Sequence, residues 1–328
     1  MPDGFAEEEI RAGSRVLSLF VSPLTAPVLR AHLDGPQRLA DVQAAVGFTA
    51  ESTVRAAISN LCEVGALAKE AAGGSSQGVT TELTEAGVDM VFAADVLETW
   101  LAQSPRGPIP PDSEAAKTAV KALAGGWSST LMRALASHPF TLTELSALIP
   151  EITYPTLERR INWMKMTGQI EALEKEGRGT PYVVTDWLRH SIAPICAAGR
   201  CERRHMMGTT GPITSVEVET SFLLVIPLVP LPEHASGICM LAAQTDPPEK
   251  DKESPGLAGV TVEIELGKAR SCLPELVSGP TTWAVGAPEA WLDLVIEGRL
   301  DDIRIGGARP QLALDLVTGL HHALFPPT

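Results

Sequence analysis

The sequence has no run of the roughly eighteen uninterrupted apolar residues that a helical membrane span requires, so no membrane association is expected. Its opening stretch, MPDGFAEEEIRAGS, is acidic where a secretory leader is basic and then apolar, and a cytoplasmic location is expected. The five cysteines (Cys62, Cys196, Cys201, Cys239, Cys272) never form a CxxC pair and are odd in number, which argues against a disulfide framework. His190, Cys196, Cys201 and His205 fall within sixteen residues, and such N/S ligands can hold zinc. We read the stretch instead as a helix end and linker that contain thiols, with no metal. Also missing are a G-x-S-x-G elbow, an HExxH pair, a P-loop and a dinucleotide glycine fingerprint. No catalytic carboxylate stands out from the forty acidic residues, so neither an enzymatic role nor a cofactor is expected.

Positive charge is scarce too, with a net charge of -14. That is unfavourable for phosphate binding, which draws on Lys and Arg. The deficit is uneven: Asp+Glu against Lys+Arg is 14 against 6 over residues 1–104, 10 against 13 over 105–205, and 16 against 7 over 206–328. Only the middle third is basic.

What the sequence does contain is a repeat. At an offset of 103, Leu24 to Glu70 aligns without a gap on Trp127 to Leu173. Ala31/Ala134, Pro36/Pro139, Leu39/Leu142, Ala44/Ala147, Thr53/Thr156, Ile58/Ile161 and Gly65/Gly168 are identical. After the next loop the offset falls to 101, placing TELTEAGVDMV (81–91) on YVVTDWLRHSI (182–192). Each copy reads as a first helix (PLTAPVLRAHL, WSSTLMRALAS) and a short second helix with Leu39, Val42 and Val46, or Leu142, Leu145 and Ile149, turned inward. The third helix is capped by Thr49 or Thr153 and buries Val54, Ile58 and Leu61, or Leu157, Ile161 and Met164; Gly65 or Gly168 ends it. A hairpin with a tip at AAGGSSQG or KEGRGT follows, and a Thr after it is placed to cap another helix. Three helices and a two-stranded wing are the parts of a winged helix-turn-helix.

The order helix, GPQRLADVQAAV, TVRAAISNLCEVGAL, wing, LTEAG resembles the HxlR branch of the MarR-like bacterial regulators, with their GP-x-R-F-x-E-L segment and LT-x-x-G after the wing. The second copy keeps Pro139 and Glu144-Leu145 and has lost the glycine after its wing. The resemblance implies a transcriptional regulator that binds double-stranded operator DNA. It also implies that the tandem copy is a dimer fused into one chain, suited to an asymmetric operator, with further homodimer formation left open.

In helix-turn-helix proteins the third helix enters the major groove. The positions opposite its buried stripe are Ser52, Arg55 and Ser59 in copy one, and Pro155, Glu158 and Asn162 in copy two, with Tyr154 and Arg159 beside them. Arg55 suits guanine, Asn162 adenine and Glu158 cytosine; the solvated side of any helix has the same look. Arg178 is a candidate wing-tip contact, and Arg133, Arg160 and Lys165 are candidate backbone anchors. Copy two is therefore expected to bind the more strongly.

From about residue 206 the pattern alternates. SVEVETSFLLVIPLVPL (215–231) reads as a long strand, GICMLAAQT and GVTVEIELG as further strands, TTWAVGAPEAWLDLVIEG as strand, turn and helix, then IRIGG and a closing helix over 310–324. The expected class is α+β: two winged helices, 1–104 and 105–205, and an α+β layer over 206–328 with one sheet face covered by helices. Gly286, Pro288, Trp291, Gly306, Gly307 and Leu312 resemble the G-x-P-x-x-W and GG-x-x-x-x-L segments of sterol-carrier-protein-like domains, which implies a hydrophobic ligand pocket. Phe222, Leu224, Ile226, Met240, Trp283 and Trp291 are the candidate lining, although periodicity does not distinguish a cavity from closed core. The two functions that follow are a regulator controlled by a small hydrophobic effector, and a protein that sequesters a hydrophobic metabolite or antibiotic with winged helices that no longer bind DNA specifically.

Overall fold

The computed structural model describes residues 13–47, 50–71, 79–125, 128–174, 179–206, 213–245, 256–277 and 282–326. The chain is mixed α+β. After α1 (Ser14–Leu19) the first repeat comprises α2 (Thr25–Arg30), β1 (Gln37–Arg38), α3 (Leu39–Val46), α4 (Glu51–Glu63), β2 (Leu67–Ala71), β3 (Val79–Leu83) and α5 (Glu85–Ala102). A connecting helix, α6 (Glu114–Ala124), leads to α7 (Ser128–Ser137), β4 (Phe140–Thr141), α8 (Leu142–Leu148), α9 (Tyr154–Thr167), β5 (Ile170–Ala172), β6 (Pro181–Val184), α10 (Asp186–His190) and α11 (Ile192–His205).

The repeat holds at the level of hydrogen bonds. Gln37 pairs with Thr81 and Leu67 with Leu83 in one sheet, where Phe140 pairs with Tyr182 and Ile170 with Val184 in the other. The two offsets read from the sequence, 103 before the hairpin tip and 101 after it, are thus the offsets of the strand registers. The Thr84 hydroxyl caps α5 by accepting from Gly87 N, 3.1 Å, and donates to Gly65 and Ala66 O; the Thr185 hydroxyl does the same for Leu188 N, Gly168 O and Gln169 O. Each sheet gains a short strand that the sequence did not suggest, so its order is β1-β3-β2 or β4-β6-β5. Val54, Ile58 and Leu61, like Leu157, Ile161 and Met164, are buried, each worth about 1.5–3 kcal/mol against exposure. Two cap expectations need correcting. Thr49 lies outside the described residues and Ala50 holds the N-cap position of α4, while Thr153 stands at the N-cap of α9 with its hydroxyl on Thr156 Oγ1 instead of a backbone N–H. The wing tips 72–78 and 175–178, with Arg178, also lie outside the described residues.

The post-hairpin helices of the two repeats pack on one another. Trp100 on α5 and Trp187 on α10 stack with centroids 4.2 Å apart, and each indole N–H donates to the other's carbonyl at 2.7 Å. At the offset of 101, Trp100 corresponds to Cys201 and Trp187 to Ala86, and the Cys201 thiol contacts Ala86 O at 3.7 Å. The two contacts are images of one another, so α5 and α10–α11 run antiparallel about a local pseudo-two-fold axis. Residues 192–205, read as helix end and linker, are thereby corrected to an interior helix. Its small residues allow close approach of its neighbours, with Gly13 at the start of α1 set against Ala198 and Gly199, and its residues from Ile192 to Glu202 are buried. The Glu202 carboxylate accepts from Gly13 N and Val16 N, both at 2.8 Å, and fixes the start of α1.

The last section comprises α12 (Ser215–Val225), a single 3-10 turn (Ile226–Leu228), β7 (Gly237–Thr245), β8 (Gly256–Glu265), β9 (Lys268–Leu273), β10 (Thr282–Gly286), α13 (Pro288–Glu297), β11 (Arg304–Gly307) and α14 (Pro310–Leu324). The expected strand over 215–231 is a helix followed by this turn. A reciprocal Thr214/Glu217 capping box starts it, and Pro227 ends it. Packed between α7, α10 and β8, α12 is buried on every side over Phe222–Val225, and these four consecutive apolar residues hide the helical stripe. The sheet order is β11-β10-β7-β8-β9, parallel only between β10 and β7. Helices α12, α13 and α14 cover the face that carries Cys239, Leu241, Val260, Val262 and Ala284. Strand β9 was also missed. Its hairpin turns through Leu266 (φ 50°) and Gly267 (φ 73°), where a Cβ on Gly267 would lie 2.7 Å from Pro232 O. Among the described residues no helix is long and apolar enough to cross a membrane.

Candidate functional site

The third helices, α4 and α9, present their polar sides to solvent. On α4, Ser52 and Arg55 are exposed and Ser59 is half-buried, and the Arg55 guanidinium pairs with Glu51 one turn earlier. On α9, Tyr154, Pro155, Glu158, Arg159, Asn162 and Lys165 are exposed, with Arg159 5.4 Å above the Trp163 ring. Arg160 is half-buried and lies against Gly125 after α6. The candidates on α9 therefore form one surface, apart from Arg160 beneath it.

The basic excess of the middle third lies largely elsewhere. Arg133 is bound to Glu219 of α12 at 2.6 Å. Arg189 is largely buried, donates to Leu223 and Leu224 O, and its pKa is lowered by desolvation. Arg200 pairs with Glu297, Arg203 with Glu289, and Arg204 with Asp293 at 3.2 Å and Asp89 at 3.7 Å; His205 reaches Asp89 at 2.9 Å. Glu289, Asp293 and Glu297 recur every four residues on α13 and meet the arginines of α11, so the charge that set the middle third apart is an inter-helix clasp. Arg133, the candidate DNA-backbone anchor on α7, is thus placed in an ion pair with α12.

The other side of α13 faces an apolar cavity of about 100 Å3. Ile192, Ile195 and Gly199 of α11, Val218 and Val225 of α12, and Leu292 of α13 are among its walls, with Ser129 of α7 at one end. It therefore lies where the second repeat meets the C-terminal layer. Of the six expected lining residues it brings together two, Phe222 and Trp291, whose rings meet edge to face at 4.9 Å. Leu224 and Ile226 are closed core, 0% and 1% exposed. Met240 and Trp283 face the opposite side of the sheet, in a small cluster with Ala242, Val285 and Leu276. The α11 wall and, apart from Phe222, the α12 wall were missed because one helix read as linker and the other as strand. The T-x-x-E at Thr214 was the available signal for the second.

The thiols do not converge: Cys196, Cys201 and Cys239 are buried, and Cys62 and Cys272 half-buried. Burial pushes Cys201, Cys239 and Cys272 up to about 12, which keeps them as thiols. The His190 ring is on Asp186 O, and among the described residues no group of three or more His, Cys, Asp and Glu side chains is placed to hold a metal ion. His32 is the one strongly buried imidazole of the first repeat's core: Nδ1 meets Val28 O at 2.7 Å, so it carries the proton, and Nε2 accepts from the Thr81 hydroxyl at 2.8 Å. Burial lowers its pKa. No protein-family model matches the sequence, and no curated protein matches it.

Proposed function

We propose that the chain is a DNA-binding transcriptional regulator, with winged helix-turn-helix modules over 1–104 and 105–205 and a sterol-carrier-like ligand layer over 206–328, whose operator affinity is set by a small hydrophobic effector. One observation carries the reading. Two exposed third helices stand on sheets of the same register, and the helices after each hairpin are joined by contacts related through the repeat. That arrangement supports a fused dimer facing two half-sites of unequal sequence. Effector control follows from the cavity's position. Helices α11 and α13 both line it and are clasped together beside it, with Asp89 of the first repeat in the same ion-pair group. A guest that favours one arrangement of these helices shifts the relation between the modules by its differential affinity.

A second reading, a sequestering protein without specific DNA binding, is favoured by the ion-paired arginines and the acidic total. Selection from a random double-stranded DNA library at about 50 and 150 mM salt separates the two. The regulator enriches an asymmetric motif and loses it on Asn162→Ala; absence of any enriched motif at the lower salt sinks the regulator reading.

A further inference from the structure

The cavity is specific about what it will hold. We propose that its guest is a compact, uncharged, single-ring aromatic molecule of about the size of toluene, not a long-chain lipid or an anion; this deepens the effector site and rests on that reading for its regulatory role.

Size is the first constraint. At about 100 Å3 the space is smaller than the roughly 150 Å3 apolar cavity that accepts benzene, and well below the roughly 300 Å3 at which drug-sized sites begin. One ring enters with a small outward shift of the walls. A sterol or acyl chain exceeds this space, part of whose wall is Phe222 and Trp291, each only 6% exposed.

Polarity is the second. The Thr220 hydroxyl donates to Val216 O and Ser129 O, and the Ser221 hydroxyl donates to Glu217 O at 2.9 Å. Both are thus spent on backbone carbonyls. The Glu217 carboxylate at the edge accepts from Thr214 N at 2.7 Å and from its hydroxyl at 2.9 Å. An anion entering here meets like charge in apolar surroundings and finds no donor among these groups.

Shape is the third. Trp291 is held by its Nε1–H on Ala242 O at 3.0 Å, so its polar atom is turned to the sheet and its ring, crossed by Phe222 at 80°, remains for the guest. A further ring extends this edge-to-face arrangement.

The test titrates the full chain, without DNA, with toluene, benzylamine and benzoate, which share one ring and differ in charge. Calorimetric melting reads binding, and Trp291 emission, identified by its loss in Trp291→Phe, reads position. Toluene near saturation raises Tm by about 2–5 °C and binds at least about tenfold more tightly than either charged analogue. Val218→Trp fills the cavity and removes the response, whereas Met240→Ala, across the sheet, keeps it. Should Val218→Trp not fold, Leu292→Phe serves the same purpose. A tighter benzoate or benzylamine, palmitate binding more tightly than toluene, or no response to any of the series overturns the proposal. Toluene binding without effect on DNA selection leaves the ligand class standing and removes its effector role.

Discussion

The two repeats share their strand registers and differ in what their equivalent residues hold. Arg30 of α2 and Arg133 of α7 occupy the same position at the offset of 103. Arg30 reaches Glu98 and Asp95 on α5, within its own repeat, whereas Arg133 reaches Glu219 on α12, outside it. The reason lies in the helices that follow the hairpins. Helix α5 runs unbroken for 18 residues and packs on α2, while its counterpart is divided into α10 and α11, and α11 is taken up by α5 and α13. The vacant side of α7 is covered by α12. The first repeat keeps this ion pair within itself, and the second borrows a helix from the C-terminal layer. A ligand beside α12 is therefore a neighbour of the second repeat only.

The strongest way to break this comparison is at the pseudo-two-fold axis. Trp187→Ala removes the stack and the bond from the Trp187 indole to Trp100 O, while the main-chain carbonyl that accepts from Trp100 remains, and costs about 3–5 kcal/mol in urea denaturation. Two separated transitions in place of one are expected if the repeats are held together there. An unchanged single transition would show that the contact is not what joins them.

DNA affinity sharpens it next. Asn162→Ala on α9 is expected to lose about 1–3 kcal/mol of discrimination at one base pair, while Arg55→Ala, whose guanidinium is already paired with Glu51, loses less. Binding measured on the selected duplex and on single-base variants decides between them. Equal losses would mean that both repeats read DNA to the same degree.

Both the repeat and most of the strands were legible because a buried stripe and a hairpin leave periodic marks, and because one self-alignment constrains two copies together. The closing helix over 310–324 was legible for the same reason. What escaped was structure set by the third dimension. Helix α12 lost its stripe by being enclosed, and α11 looked like a linker because Pro194, Gly199 and its alanines serve close packing. The basic count of the middle third was accurate, but Arg200, Arg203 and Arg204 point to α13 and α5, and composition carries no directions. For the cavity the sequence supplied two of its aromatic walls and could not tell which side of the sheet Met240 and Trp283 would take.

The equivalent arginines give a smaller and more pointed test. Arg133→Ala leaves Glu219, 15% exposed, without this partner and is expected to cost about 1–2 kcal/mol, whereas Arg30→Ala, with its partners 30% and 58% exposed, costs about 0.5–1 kcal/mol. Arg133→Ala alone is expected to weaken the toluene response, because only its partner helix lines the cavity. An equal ligand response in the two variants would contradict the assignment of α12 to the second repeat.

The smallest effect is one of pH, and it belongs to the first repeat. Where the second has Leu135 and Tyr182 at the equivalent positions, the first has His32 hydrogen-bonded to Thr81. Burial lowers the folded-state pKa of His32 below its ordinary value of 6.5, so the unfolded chain takes up the proton first as the pH falls. The stability that His32 contributes is therefore complete above about pH 6.5 and declines below it, until the folded state titrates too. His32→Leu, which copies the second repeat, removes that slope, and the difference between the two proteins' urea midpoints at pH 7.5 and 5.5 isolates it from every other titrating group. If the midpoints shift in parallel, the ring is not shielded in the folded state.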